Sequence, residues 1–176
     1  AWTTTPWTLP GNTALAVAPD AEYVLLESDN DYLVMAARLV AAIGLDGYQE
    51  VKKLEGKELV GTAYKPLYNP HEFDVERLRF EEDGSLIGQK PDTGLTYQVI
   101  SGDFVTMDDG TGIVHTAPTF GADDMQVAQE ADPPIPPLLV LDDSGNPVPL
   151  VDLQGRFRPE MGSLGGKYVK NEYYEE

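Results

Sequence analysis

With only two histidines and no cysteine, this 176-residue chain has few groups that could carry chemistry. His71 stands in PHEF, where the His-Glu pair lacks the second histidine a zinc-protease helix needs. Without thiolates, a mononuclear zinc site at His115 would have to draw its further ligands from acids alone, so no metal is expected. DDSGN, 142–146, looks like the front of a calcium loop, but Pro147 stands where such a loop needs glycine. Gly110-Thr111-Gly112 has neither the lysine nor the spacing of a phosphate-binding loop, and there is no serine nucleophile elbow. Two stretches remain, WTTTPWTLPGN at 2–12 and GTGIVHTAPTFGADD at 110–124.

Thr3, Thr4 and Thr5 are crowded between Trp2 and Pro6, with Asn12 following a Pro-Gly turn. Pro6 stops regular strand pairing, so the three residues offer hydroxyls and backbone groups at a strand end. They form either an ordinary β-edge turn or a wall of donors and acceptors around a sugar or a carbonyl. In the second stretch, alternation puts His115 on one strand face with Ile113 and Ala117. A core histidine satisfied by a backbone carbonyl is an equally good reading of that position. The following loop leads to Asp124 in the first turn of a helix. An imidazole and an ionised carboxylate on two rims of a pocket would suit a small substrate carrying an ammonium group, which the carboxylate would pair.

The elements that must position these groups read as short. NTALAVA (12–18) and YVLLE (23–27) are strands that could form a hairpin. DYLVMAARLVAAIG (31–44) reads as a mostly buried helix, capped by Asn30 or Asp31 and ended by Gly44. Residues 50–54 and 59–64 read as strands, 65–80 as loops or a short irregular layer, and 81–86 as an Asp-Gly turn. Residues 95–107 read as an extended pair broken at Ser101-Gly102, TGIVHTA as a strand, and 121–131 as a short helix with Asp123 and Asp124 in its first turn. DPPIPP (132–137) forces an extended crossing; its PxxP patterns could dock on an aromatic groove, but bracing is the favoured reading because a further strand and turn follow at once. The expectation is one α+β domain over 1–176, a β-barrel-like core of short strands with flanking helices, with 162–176 a partly loose tail. The chain enters patterned sequence at once, as a piece of a longer protein would.

Thirty acidic residues face twelve basic ones, a formal charge of −18. Such a surface repels nucleic acid at long range. The acids are scattered through every segment, which favours a solvation role, suited to high salt, over a docking face for a cationic partner. No stretch approaches the ~18 apolar residues of a membrane helix.

Together the two stretches resemble the editing domain inserted into isoleucyl-tRNA synthetases. Residues 2–12 look like that family's threonine-rich region, and 110–124 like its second editing motif. The valyl and leucyl relatives generally carry an arginine after the first two threonines, where this chain has Thr5 and Pro6. The signatures of the synthetic site are missing, as for an excised domain. The resemblance implies hydrolysis of valyl-tRNA misformed on the isoleucine tRNA. It implies that Asp124 holds the α-ammonium, with Asp123 facing solvent or capping. His115 would limit side-chain size and help place the ester. Trp2, Thr3, Thr4, Thr5 and Asn12 would line the site for the terminal adenosine, the carbonyl and the water; Thr4 and Thr5, nearer the strand end disrupted at Pro6, are expected to bear more of the catalytic load than Thr3. It further implies no cofactor for editing (ATP serving only the absent synthetic domain), the 3′ CCA end of tRNA(Ile) and the rest of the synthetase as partners, no membrane, and a cytoplasmic setting. The rival readings are a module that binds the adenosine end without cleaving, and an acidic α+β domain with no site.

Overall fold

The computed structural model describes residues 1–29, 31–68, 75–80, 86–89 and 97–169. Its contacts divide the chain into two compact units. The first is Ala1–Thr4, Leu15–Tyr64 and Gln98–His115, and the second is Thr5–Ala14, Lys65–Tyr97 and Thr116–Glu176.

In the first unit β2 (Glu22–Ser28) is the centre of a three-stranded antiparallel sheet, between β3 (Asp31–Ala36) and β4 (Gln49–Glu55). The helix expected over 31–44 is therefore mostly not a helix. Its first six residues pair with β2 from Ser28↔Asp31 to Tyr23↔Ala36, and only a 3₁₀ turn at Ala37–Leu39 and a single α-turn, α1 (Val40–Ile43), follow. Strand pairing overrides the helix propensity of an alanine-rich segment because it buries Met35 and Ala36 against Tyr23, Val24 and Leu26. Gly44 does end the turn, with φ 68°.

β1 (Ala14–Val17) does not form a hairpin with β2. It lies between β7 (Gln98–Ser101) and β8 (Ile113–Thr116) in a second sheet, while both edges of β2 are already taken. The extended pair expected over 95–107 is thus realised only as β7. A strand was expected at 59–64, yet α2 (Gly56–Leu59) precedes it, closed by a reciprocal capping box in which Glu58 accepts the Glu55 amide at 2.7 Å. Of that expected strand only an isolated bridge from Ala63 to Gln98 is present.

The core of this unit gathers Val17, Tyr23, Val24, Leu26, Met35, Ala36, Leu39 and Ile113. Tyr23 pins β8 to it. Its hydroxyl donates to the Gly112 carbonyl at 2.6 Å and accepts the Ala18 amide at 3.0 Å. Gly112 has φ 69°, and a Cβ there would stand 2.5 Å from the Ala36 methyl, so glycine is required just before β8 begins.

In the second unit the sheet order is β10-β9-β5-β6, made of β5 (Val75–Phe80), β6 (Leu86–Gln89), β9 (Leu138–Leu141) and β10 (Pro147–Val148). Residues 75–80, expected to lie in an irregular layer, are a strand because β9 pairs with them antiparallel, Val75↔Val140 to Arg77↔Leu138. The Asp-Gly turn expected over 81–86 falls largely outside the described residues. Leu138, Val140, Leu150, Phe157 and Met161 form the core. The expected short helix is present as α3 (Ala122–Glu130). Ile135 and Pro137 are buried, and the Ile135 amide donates to the Ala128 carbonyl at 2.8 Å, so the proline-rich crossing braces α3 rather than standing free.

The mixed α+β character is as expected, but the strands do not close into a barrel. Among the described residues they form three separate sheets, each with two edge strands. No helix among the described residues is long and apolar enough to cross a membrane.

Candidate functional site

In the first unit, Trp2 makes a parallel bridge to Val114, and its amide donates to the Ile113 carbonyl at 3.2 Å. The expected strand end is thus a single bridge outside any strand, beyond which Thr3 is half-buried and Thr4 is exposed. The indole lies against Gly110, where a Cβ would come within 3.0 Å of it, and is itself 58% exposed. His115 lies on β8 beyond Val114. Ile113 and His115 are both buried, the imidazole only 7% exposed, as alternation required.

In the second unit, Thr5 caps a 3₁₀ turn over Pro6–Gly11. Its carbonyl accepts both the Thr8 amide at 3.0 Å and the Thr8 hydroxyl at 2.8 Å. Proline at the first position suits such a turn, since its missing N–H would be unpaired there in any case. The turn delivers Asn12, whose side-chain amide donates to the Ala14 carbonyl at 2.9 Å and to the Thr116 carbonyl at 3.4 Å. The Thr13 amide donates to the same Thr116 carbonyl at 3.0 Å. Two stretches 104 positions apart are therefore stitched together at Thr116. Gly11 allows this approach: a Cβ on it would fall 2.5 Å from the Phe120 ring and 2.9 Å from the Thr119 hydroxyl.

Asp124 is half-buried in the first turn of α3, and one carboxylate oxygen, Oδ2, accepts the amide of fully buried Ala117 at 2.8 Å. A turn between the Phe120 amide and the Ala117 carbonyl, 2.9 Å, folds the intervening loop back. Asp123 is exposed. The two adjacent acids are thus in different settings. Asp124 is anchored through one oxygen, while Asp123 faces solvent.

Trp2, Thr3, Thr4 and His115 belong to the first unit, and Thr5, Asn12 and Asp124 to the second. Within the units the structure joins Trp2 to the strand that carries His115, and Asn12 to Thr116. Thr116 and the Ala117 amide lie inside the quoted motifs and Thr13 directly follows the first, but none of the three has a role in the reading of the sequence. Their signal is a long-range pairing that spacing along one chain does not reveal. No group of three or more His, Asp or Glu residues that could hold a metal ion occurs among the described residues, and His71 lies outside them.

No family model matches the chain. Among curated proteins it is 40% identical, over 98% of its length, to an isoleucine–tRNA ligase of Cytophaga hutchinsonii, of which it covers 16%. It is 41% identical over 97% of its length to that of Bacteroides thetaiotaomicron, covering 16%, and 38% identical over 97% to that of Dehalococcoides mccartyi, covering 15%. The chain is homologous to one segment of the isoleucine–tRNA ligases. It spans about a sixth of the length of these ligases. A solved structure of GlLeuRS-CP1 shares the fold, with a TM-score of 0.50 over 73% of this chain and 42% of that one, at 16% identity. The α+β arrangement of small sheets and short helices is thus that of a CP1 domain.

Proposed function

We propose that this chain is the editing segment of an isoleucyl-tRNA synthetase and hydrolyses the ester of valyl-tRNA(Ile). A synthetic pocket shaped for isoleucine cannot strongly reject valine, since one methylene is worth only about 1–3 kcal/mol; valine against isoleucine is the well-known instance of that general limit. A second pocket sorts in the other direction by excluding the larger side chain, and close packing makes its walls stiff. A nearly buried imidazole suits such a wall, so His115 is read as a size filter that also helps place the ester.

The chemistry needs no enzyme nucleophile. A water oxygen attacks the ester carbonyl carbon, the bond from that carbon to the ribose oxygen breaks, and the proton released by the water ends on the ribose oxygen, leaving valine and free tRNA. The neighbouring ribose hydroxyl activates the ester. The hydroxyls of Thr4 and Thr5, with Thr3, hold the water, and Trp2 and Asn12 line the binding of the terminal adenosine. Asp124 pairs the α-ammonium with the carboxylate oxygen not used by the Ala117 amide. Catalysis is by positioning and electrostatics. No cofactor enters, ATP being the substrate of the synthetic part of the larger protein.

The observation that carries this reading is the stitching of the Thr-rich stretch to the His115–Asp124 stretch at Thr116, in a chain homologous over 98% of its length to isoleucine–tRNA ligases. The partners are the valine-bearing CCA end and the rest of the synthetase, which must supply the phosphate contacts that a chain of charge −18 cannot. Single-turnover incubation with valyl-tRNA(Ile) tests the reading. Valine should be released above the spontaneous rate, with half-saturation at high enzyme concentration. Absence of release at any enzyme concentration would remove the reading.

A further inference from the structure

Four buried side-chain oxygens lack a hydrogen-bond partner among the described residues, namely the hydroxyls of Thr13, Thr116 and Thr119 and one carboxylate oxygen of Glu160. Three of the four thus belong to the two motif stretches or the residue beside them. Thr13 and Thr116 are fully buried, and they are directly joined, the Thr13 amide donating to the Thr116 carbonyl at 3.0 Å. A buried hydroxyl without a partner makes a fold less stable than an isosteric methyl would, so packing alone gives no reason for threonine over valine at either position. Each hydroxyl offers one donor and two acceptor sites. Buried groups of this kind are what an internal water satisfies.

Their neighbours along the chain are the proposed site groups. Thr13 follows Asn12, whose side-chain amide reaches the Thr116 carbonyl. Thr116 lies between His115 and Ala117, and the Ala117 amide holds Asp124.

We propose that Thr13 and Thr116 are positioning residues for editing: their hydroxyls share one internal water where β1 and β8 meet, and that water-linked pair sets the orientation of the Asn12 amide. The inference rests on the editing reading. It adds two residues that touch no substrate but control one that does.

The test uses Thr13→Val, Thr116→Val and the serine variants at both positions, with four readouts on this chain. These are the single-turnover rate constant for valyl-tRNA(Ile), its half-saturation, the melting temperature and the NMR cross-peaks of the Asn12 side-chain amide. Each single valine variant should lose about tenfold in rate constant with half-saturation unchanged, show displaced Asn12 cross-peaks, and melt lower than wild type because the other hydroxyl and the shared water lose a partner, whereas the double valine variant should melt close to wild type. Serine, which restores the hydroxyl, should return both the rate and the cross-peaks. Valine variants with wild-type rate and unmoved cross-peaks would overturn the proposal. Single valine variants that melt no lower than wild type would overturn it too, since the two hydroxyls would then share nothing. If the wild-type chain releases no valine, the editing reading is what fails, and the cross-peaks and melting temperatures still decide whether the pair positions Asn12.

Discussion

Replacing Asp124 by alanine removes two things, and replacing it by asparagine removes only one. Its Oδ2 accepts the amide of Ala117, which is fully buried, at 2.8 Å. Alanine leaves that amide unpaired, a cost of about 1–3 kcal/mol. In a domain of this size each kcal/mol shifts the melting temperature by roughly 2–4 °C, so Asp124→Ala should melt roughly 2–12 °C lower. Asparagine keeps a carbonyl oxygen for the Ala117 amide and should melt close to wild type. Both variants lose the charge that pairs the substrate ammonium. A hydrogen bond to a charged group is worth roughly 1.5–3 kcal/mol, so both should lose about one to two orders of magnitude in deacylation. The assay is single-turnover hydrolysis of valyl-tRNA(Ile), run well below the lower melting temperature, with thermal unfolding in parallel. Wild-type turnover by Asp124→Asn would show that the charge has no role, and an Asp124→Ala variant as stable as wild type would show that the Ala117 link holds nothing.

Gly11→Ala puts a methyl 2.5 Å from the Phe120 ring, and overpacking of this kind costs about 1–3 kcal/mol. Chemical denaturation should report that loss, and Phe120→Leu in the same chain should recover part of it. Thr4→Val and Thr5→Val should each slow single-turnover deacylation about tenfold, the worth of one hydrogen bond, and Thr3→Val less; equal wild-type rates in all three would move the water-holding role elsewhere. Burial raises the Tyr23 phenol above its ordinary 10.0, the Ala18 amide it accepts acting in the opposite sense. The unfolded chain therefore gives up that proton first, so stability should hold below pH 10 and fall as pH rises towards the folded value. Tyr23→Phe should reduce that fall in urea titrations, Tyr32 and Lys53 contributing the remainder, while lowering stability throughout, because the Gly112 carbonyl and the Ala18 amide both lose their partner.

Where local pattern and tertiary pairing agree, the elements were legible in the sequence. β1, β2, β4, β8 and α3 fall where alternation, turn residues and first-turn acids put them. The helix reading of 31–44 rested on a run too long and too alanine-rich for one strand, yet Ser28 pairs with Asp31 in a tight connection to β2, and Asp29 has φ 49°. An Asp-Asn pair between apolar runs is also a hairpin signal, and the β2 partner decided between the two. The charged run VERLRF lacks a helical period and became a strand because β9 was there to pair with it, which no local feature of 65–80 announces. For the candidate site, the two stretches stood out by their resemblance to a known family, while the threonines and His115 each also had an ordinary structural reading. The junction at Thr116 was not readable. It depends on a pairing between Thr13 and Thr116 across more than half of the chain.

The most direct test of the account compares one tRNA(Ile) carrying either of two amino acids. Single-turnover rate constants for valyl- and isoleucyl-tRNA(Ile) are measured at saturating concentrations of this chain, with spontaneous hydrolysis subtracted. A pocket walled against one extra methylene should release valine at least about tenfold faster than isoleucine. Equal rates, or faster release of isoleucine, would contradict the claim that this chain sorts the two by size.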